Sequence, residues 1–395
     1  MNYNNVETPC FILDKQMLDD GIELLRSSLK KYWNNYIIGY SFKTNSLPWL
    51  VNYVKQEGFF AEIVSDDEYE LARFFGYDVD KIVYNGPIKS KESFLEAVRY
   101  GCIVNIDTKR EIEWLKELPN DKNYKVGIRV NFDIESFCPN ESACGEEGGR
   151  FGFCYENGEL KKATDKIDRM KNVNICGIHL HCSSKTRSLN IYESIAKMAC
   201  KIKEEFNRDF EYVDIGGGFF GGMENRPKFP DYLMRVSKIL SECYDVNKTK
   251  IIVEPGMSLI GPAIDFVTSV IDVKDTTYNR FVITDGSRTN VDPLMTKSSY
   301  FDELIYLDEN RSKKEKQIIC GFTCMEHDRL FVIKNEKELL VNDRIVYHKV
   351  GAYTMCLSPL FIKYFPQVLL KDNDEYTIVR EKWDSKSYSQ KSIIE

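Results

Sequence analysis

The strongest pattern along the chain is alternation between short apolar or β-branched runs and longer stretches with helical spacing. IIGYSF (37–42) precedes a helical stretch at 47–57, FFAEIV (59–64) precedes DDEYELARFFG, KIVYNG (81–86) precedes SKESFLEAVRYG, and CIVNID (102–107) precedes TKREIEWLKEL. KVGIRVN (125–131) runs into a long irregular segment. VNICGIHLH (173–181) precedes a helix at 189–206, EYVDIGGG (211–218) precedes one at 230–243, and KIIVEPG (250–256) closes the series. Strands that alternate with helices imply βαβ units and a parallel sheet. Eight such units in about 230 residues match the size and order of a (β/α)8 TIM barrel. A doubly wound open sheet shares the alternation. The strand count and the positions of the unusual residues favour the barrel.

After residue 265 helical stretches become scarce. FVITDG, YFDELIYL, KQIICGF, RLFVIK, RIVYHKV and EYTIVREKW read as β runs joined by turns, the mark of a mainly antiparallel β domain. CFILD (10–14) precedes the barrel helices and is expected to pair into that domain. The division expected is a barrel over 26–265 and a β domain built from 1–25 and 266–395.

Composition narrows the function classes. With 43% hydrophobic and 29% charged residues the chain is a globular sequence, not a disordered one. A net charge of −7 makes a nucleic-acid or anionic-membrane surface a poor expectation. No apolar run approaches the ~20 residues of a membrane span, and MNYNNVETPC has no cationic segment leading into an apolar stretch, so no secretory signal is expected. The 12 cysteines are scattered, without a CxxC pair or zinc-ligand spacing, and most are expected to be reduced, buried thiols of a cytoplasmic protein. With four histidines and no Cys/His cluster, no metal site is expected.

In a TIM barrel the reactive groups lie at the C-terminal ends of the strands. Those ends carry Lys43 (YSFKTN), His181 with Ser183 and Ser184, the run Gly216, Gly217 and Gly218, and Glu254 with Pro255 and Gly256. Each has an ordinary explanation: a solvated lysine, a core histidine, a turn that needs positive φ, a glutamate bracing a loop. Together they are the parts needed to hold pyridoxal phosphate. Lys43 would form the Schiff base, and desolvation would free its amine. Backbone N–H groups of Gly216–Gly218 would approach the phosphate, with the Ser184 hydroxyl as a further donor. His181 would stack on the ring. Glu254 would accept the ring N–H and keep the pyridinium protonated, which favours carbanion chemistry at Cα.

These motifs form an ordered set. YSFKTN, AEIVSDDEYELA (61–72), HLHCSS, DIGGGF (214–219), EPG (254–256), CGFTCMEHD (320–328) and GAYT (351–354) resemble those of the fold-type III pyridoxal-phosphate decarboxylases, the diaminopimelate, ornithine and arginine decarboxylases with an alanine-racemase-like barrel. The resemblance runs from TPCFILD to GAYT. It implies Lys43, His181, Glu254, Ser184 and the glycine run as the cofactor site, with Tyr353 near the phosphate. It also implies that Cys324 reaches the active site of a neighbouring subunit and takes part in protonating the product, so that a homodimer shares its sites. Departures bear on the substrate. Met257 follows EPG where the family often has arginine, and Met325 replaces the acid after the family cysteine. Asp292 in NVDP stands near the position of the arginine that holds a distal carboxylate, and FIK (361–363) replaces FNG. Losing bidentate arginine anchors argues against diaminopimelate as substrate. Asp292, Glu326 and His327 are then candidates for a different distal group, within a pocket made more apolar by the two methionines. Arg150 in GRFGF is a further cation of unknown position. The reading is an amino-acid decarboxylase of polyamine or specialised metabolism. An amino-acid racemase or epimerase on the same barrel and a catalytically silent binding protein are the alternatives.

Overall fold

The computed structural model describes residues 3–393. They divide into two compact units: Gly21–Ser258, and the residues up to Asp20 together with those from Leu259 onward.

In chain order, β1 (Cys10–Asp14) belongs to the second unit. The first unit contains β2 (Tyr36–Ser41), β3 (Phe60–Ser65), β4 (Ile82–Ile88), β5 (Ile103–Ile106), β6 (Tyr124–Asn131), the two-residue β7 (Phe153–Cys154), β8 (Val173–His179), β9 (Tyr212–Asp214) and β10 (Lys250–Val253). Their order is β5-β4-β3-β2-β10-β9-β8-β6, every pairing is parallel, and Asn105↔Gly127 and Ile106↔Ile128 join β5 to β6 and close the ring. The eight-stranded barrel of the sequence reading is therefore present, with β7 as a short appendage on β6.

Local chemistry sets the strand-to-helix turns. Ser65 and Ser90 cap the helices Asp66–Phe74 and Lys91–Tyr100, their hydroxyls accepting from Glu68 N–H and Ser93 N–H. Asp66, Asp67 and Glu68 fill the first turn and Arg73 the last, matching the helix dipole. Gly101 ends the second helix in the left-handed region.

The floor of the barrel is apolar. Ile37, Val83, Tyr212 and Ile252 pack inside it with Phe60, Ile103 and Cys176. The Tyr212 ring crosses the interior. A Cβ on Gly177 or Gly127 would run into that ring, so both positions must be glycine for it to fit.

The second unit contains β1, β11 (Ile264–Asp275), β12 (Arg280–Thr284), β13 (Phe301–Ile305), β14 (Lys313–Cys320), β15 (Arg329–Lys337), β16 (Arg344–His348), β17 (Gln367–Asp372) and β18 (Glu375–Arg380). The sheet runs β15-β14-β12-β11-β1-β17-β18, with β16 joining β11 to β13. It is mainly antiparallel, but β1–β17 and β12–β14 are parallel. CFILD does pair into this unit, between β11 and β17. Tyr3, Val6, Cys10, Ile12, Val267, Val346 and Leu369 form a core cluster on it.

Two features differ from the sequence reading. The segment after β6 contains a helix, Glu159–Asp168, that buries Leu160, Ala163, Thr164 and Ile167. And not every cysteine is a free thiol: Cys200 and Cys243 form a disulfide, Cα atoms 5.8 Å apart, because helix Leu189–Glu205 lies against the end of helix Phe229–Leu240. The other ten cysteines are not in disulfides. Among the described residues no helix is long and apolar enough to cross a membrane.

Candidate active site

Above the apolar floor the barrel interior turns polar, one strand end after another. Tyr212 Oη donates to Asn105 Oδ1 at 2.7 Å, Asn105 Nδ2 donates to Asn85 Oδ1 at 2.8 Å, and Asn85 Nδ2 donates to both Glu62 (3.0 Å) and Glu254 (2.5 Å). Every member of this chain is buried. Glu62 also accepts from Ser41 Oγ at 2.6 Å and from Lys43 Nζ at 2.8 Å. The candidate lysine and the candidate ring acceptor thus lie on one network. Buried polar groups of this kind are tolerable only when bonded, and here they fix each other's rotamers.

Lys43 stands in the single turn Phe42–Thr44 that follows β2, with its side chain 38% exposed while its partner Glu62 is fully enclosed. Glu254 directly follows β10. His179 Nε2 lies 3.6 Å from it, and Asp214 on β9 completes a trio whose ligand atoms all lie within 4.8 Å of one another. Such a trio has the donors for a cation, but its carboxylates already have partners: Asn85 on Glu254 and Gly216 N–H on Asp214, at 2.9 Å. The two acids hold one proton between them. Burial and the charge of Glu254 push Asp214 far above the carboxylate range. Burial also works against ionised Glu254, but His179 and Lys43 outweigh it and keep the Glu254 carboxyl below its ordinary range. Glu254 is the charged member.

His181 lies two residues beyond β8. Its ring and that of His179 are stacked, with centroids 6.4 Å apart. Burial pushes its pKa down to about 3, helped by Arg129 and Lys43 and opposed by Glu254, so the ring is neutral near pH 7. Its Nδ1 accepts from Gly217 N–H at 3.3 Å, which assigns the remaining proton to Nε2. Arg129 is itself paired with Asp107 at 2.9 Å.

The glycine run is required by close packing. A Cβ on Gly216 would come within 2.5 Å of His181, and one on Gly217 would strike the Glu254 carbonyl. Gly216 and Gly218 have φ of 71° and 89°. Tyr192 Oη holds the turn from beneath, donating to Gly217 C=O at 2.8 Å. Gly256 packs against Thr44 and Ser41, which joins the loop after β10 to the lysine turn.

The chain belongs to the pyridoxal-dependent decarboxylases. Residues 20–261 match the family model for the pyridoxal-binding domain of pyridoxal-dependent decarboxylases. The decarboxylase is similar along most of its length to diaminopimelate decarboxylase of Aquifex aeolicus, at 26% identity over 95% of this chain and 89% of that one. It is 27% identical to an L-glutamyl-[BtrI acyl-carrier protein] decarboxylase of Niallia circulans, over 95% and 91% of the two chains. Among solved structures it resembles diaminopimelate decarboxylase of M. jannaschii in complex with L-lysine, with a TM-score of 0.83 at 22% identity over 98% and 92% of the two chains. The enzyme is a pyridoxal-phosphate-dependent amino-acid decarboxylase, with that cofactor as its reactive group.

The residues present fit the cofactor. Both nitrogens of buried His179, and the Oγ of buried Ser258 in the short helix Met257–Ile260 whose backbone abuts Gly221, are without hydrogen-bond partners among the described residues. Unsatisfied polar atoms thus lie beside the buried carboxylate and beside Gly221, three residues beyond the glycine run, as a polar ligand needs. Two of the three expected glycine donors have partners already, since Gly216 N–H serves Asp214 and Gly217 N–H serves His181. Ser184 Oγ lies in its own loop, bonded to Glu141 C=O at 3.2 Å and accepting from Arg187 N–H at 2.8 Å.

The remaining candidates lie in the second unit. Asp292 is buried and braces its own segment, accepting from Arg288 Nε, Tyr300 Oη and the N–H groups of Thr296 and Lys297. Cys324 is exposed, Met325 half-buried, and exposed Glu326 pairs with Arg329 at 3.2 Å. Tyr353 is 39% exposed with φ of 55°. The sequence reading did not find Glu62, Asn85, Asn105, Asp214 or Tyr192, and left His179 without a role. For all but Tyr192, which lies on helix Leu189–Glu205, the only signal was a polar side chain inside an otherwise apolar strand run.

Proposed function

We propose that the enzyme removes the α-carboxylate of an amino acid other than diaminopimelate, with Lys43 as the amine that carries the cofactor. When bound, pyridoxal phosphate supplies the electron sink for the pair left behind by departing CO2. The protein's own tasks follow from the site. Glu62 orients the Lys43 ammonium. Glu254, charged and held by Asn85, keeps a proton on the ring nitrogen, and neutral His181 offers a flat face for stacking. Gly216–Gly218, Gly256, Ser184 and Tyr353 are proposed to surround the phosphate. A charged ring partner of this kind is what favours decarboxylation over racemisation.

One observation carries the substrate reading. Within 286–293 the sole arginine is Arg288, and its guanidinium is already bonded to Asp292 and to Lys297 C=O. Met257 occupies the position after EPG. A charge-assisted contact to a distal carboxylate contributes about 1.5–3 kcal/mol, so its loss lowers kcat/KM by roughly 10- to 100-fold. The relative named for a glutamyl group on an acyl-carrier protein fits a family whose range extends beyond diaminopimelate. The second reading, diaminopimelate itself, is favoured by the names of most relatives. CO2 release decides between them. The panel is meso-diaminopimelate, basic and apolar L- and D-amino acids, and glutamate both free and carrier-bound. We expect diaminopimelate to rank at least ~10-fold below the best substrate; first rank for it would overturn the reading.

The proposal includes a cytoplasmic homodimer in which Cys324 of one subunit supplies the product proton in the other. Mixing Lys43→Ala with Cys324→Ala subunits should then restore activity that neither has alone. Absence of restoration, with dimers verified, would remove this role.

A further inference from the structure

The loop after β6 returns to the barrel as a short antiparallel ladder. Ala143 N–H donates to Ser183 C=O at 3.0 Å, Lys185 N–H donates to Glu141 C=O at 2.9 Å, and Ser142 bridges Ser184. Cys144 and Cys182 are the chain neighbours of Ala143 and Ser183, which the first of these hydrogen bonds holds together. Beyond Ser142 the chain leaves the ladder: Cys144 is in the right-handed helical region and opens the turn Gly145–Glu147, while its N–H donates to Ser142 Oγ at 3.1 Å. Independently of the ladder, both cysteines line one cavity of about 440 Å³, with Arg129, Arg150 and His181. Neither is in a disulfide in the structure: Cys144 is exposed and Cys182 partly covered.

We propose that Cys144 and Cys182 form an oxidation site, a dithiol within one cavity that hydrogen peroxide or a related peroxide converts to a disulfide at the rim of the active-site barrel. The exposed Cys144 reacts first. Its thiolate attacks a peroxide oxygen, the O–O bond breaks and the departing oxygen leaves as water, giving a sulfenic acid. The Cys182 sulfur then displaces the sulfenic oxygen as a second water. Two thiols and one peroxide thus yield one disulfide and two waters, with two electrons passing to the oxidant. The new bond fixes the 138–151 loop to the segment that carries His181, and a reducing thiol reverses it. The site is independent of which amino acid the enzyme decarboxylates.

The test uses the cofactor-loaded enzyme, treated with peroxide, blocked with N-ethylmaleimide and digested without reductant. Mass spectrometry should find the peptide containing Cys144 joined to the one containing Cys182, about 2 Da below their sum. The link should vanish in Cys144→Ser and in Cys182→Ser, survive in Cys138→Ser, and disappear on reduction. Limited trypsin cleavage after Arg150 should slow at least threefold in the oxidised wild type and not in either linked-cysteine variant. The proposal is overturned if Cys144 ends in sulfinic or sulfonic acid with no link, or if the link forms and cleavage after Arg150 is unchanged.

Discussion

Gly177→Ala tests the barrel interior most directly. The added Cβ would fall within the Tyr212 ring, and the ring has nowhere to go. Ile37, Val83 and Ile252 pack around it, and its hydroxyl is held by Asn105 at 2.7 Å. Overpacking a rigid core costs about 1–3 kcal/mol, and displacing the ring loses a buried hydrogen bond of about 1 kcal/mol as well, which puts the expected loss near 3 kcal/mol. At ~2–4 °C per kcal/mol for a domain of this size, Tm should fall by roughly 6–12 °C. Because Asn105 donates to Asn85, and Asn85 to Glu254, kcat/KM should fall too. The assay is a double-mutant cycle by urea denaturation with Tyr212→Leu. Removing the ring is costly by itself, but it abolishes the clash, so alanine at 177 should then cost almost nothing and the coupling should approach 3 kcal/mol. A Gly177→Ala cost below about 1 kcal/mol, or additivity within ~0.5 kcal/mol, would refute the packing argument.

Other substitutions probe the site and its supports. Lys43→Ala should abolish the visible absorption of bound cofactor together with CO2 release; an unchanged spectrum would remove the lysine from its role. Lys89 is fully buried, donating to Gly86 C=O, Asn105 C=O and Glu111, and burial lowers its pKa. Lys89→Ala leaves the buried Glu111 carboxylate without its cation and should cost about 3–5 kcal/mol by denaturation, a reading that a loss under ~1 kcal/mol would contradict. Glu68 accepts from Val64 N–H, and burial pushes its pKa up to about 7. An acid raised on folding has its full stability below the unfolded pKa and loses stability as pH rises toward the folded one, here between about 4.5 and 7, by at most about 3 kcal/mol. Glu68→Gln should therefore gain in Tm over the wild type from pH 5 to pH 8, and a constant difference would show that Glu68 does not titrate in this window.

The barrel was legible because most of its eight strands are compact apolar or β-branched runs followed by a stretch with helical spacing. What escaped notice lacked that contrast. Helix Glu159–Asp168 keeps a buried stripe at 160, 163, 164 and 167 within ELKKATDKID, whose charges mask the period. β11 is buried over its first half and exposed over its second, so no single period describes it, and β17 has only three apolar residues, Val368, Leu369 and Leu370, in a short turn-bounded run. At the site, Lys43, His181, the glycines and Glu254 stand in recognisable motifs. Glu62, Asn85 and Asn105 do not, since each is one polar residue within its strand and acquires a partner only when the barrel closes. Cys200 and Cys243 lie on different helices, and nothing local pairs them.

β1 has both its edges occupied, by β11 and by β17. On the ribosome this segment emerges before the whole barrel segment, and both of its neighbours emerge after it. The barrel segment can complete its ring of strands before β17 is made, whereas the other unit must wait for that strand. A nascent or prematurely stopped chain therefore carries a sticky apolar strand, CFILD, with bare hydrogen-bonding edges. Chaperone capture during synthesis, and aggregation of C-terminally truncated products, should centre on that stretch.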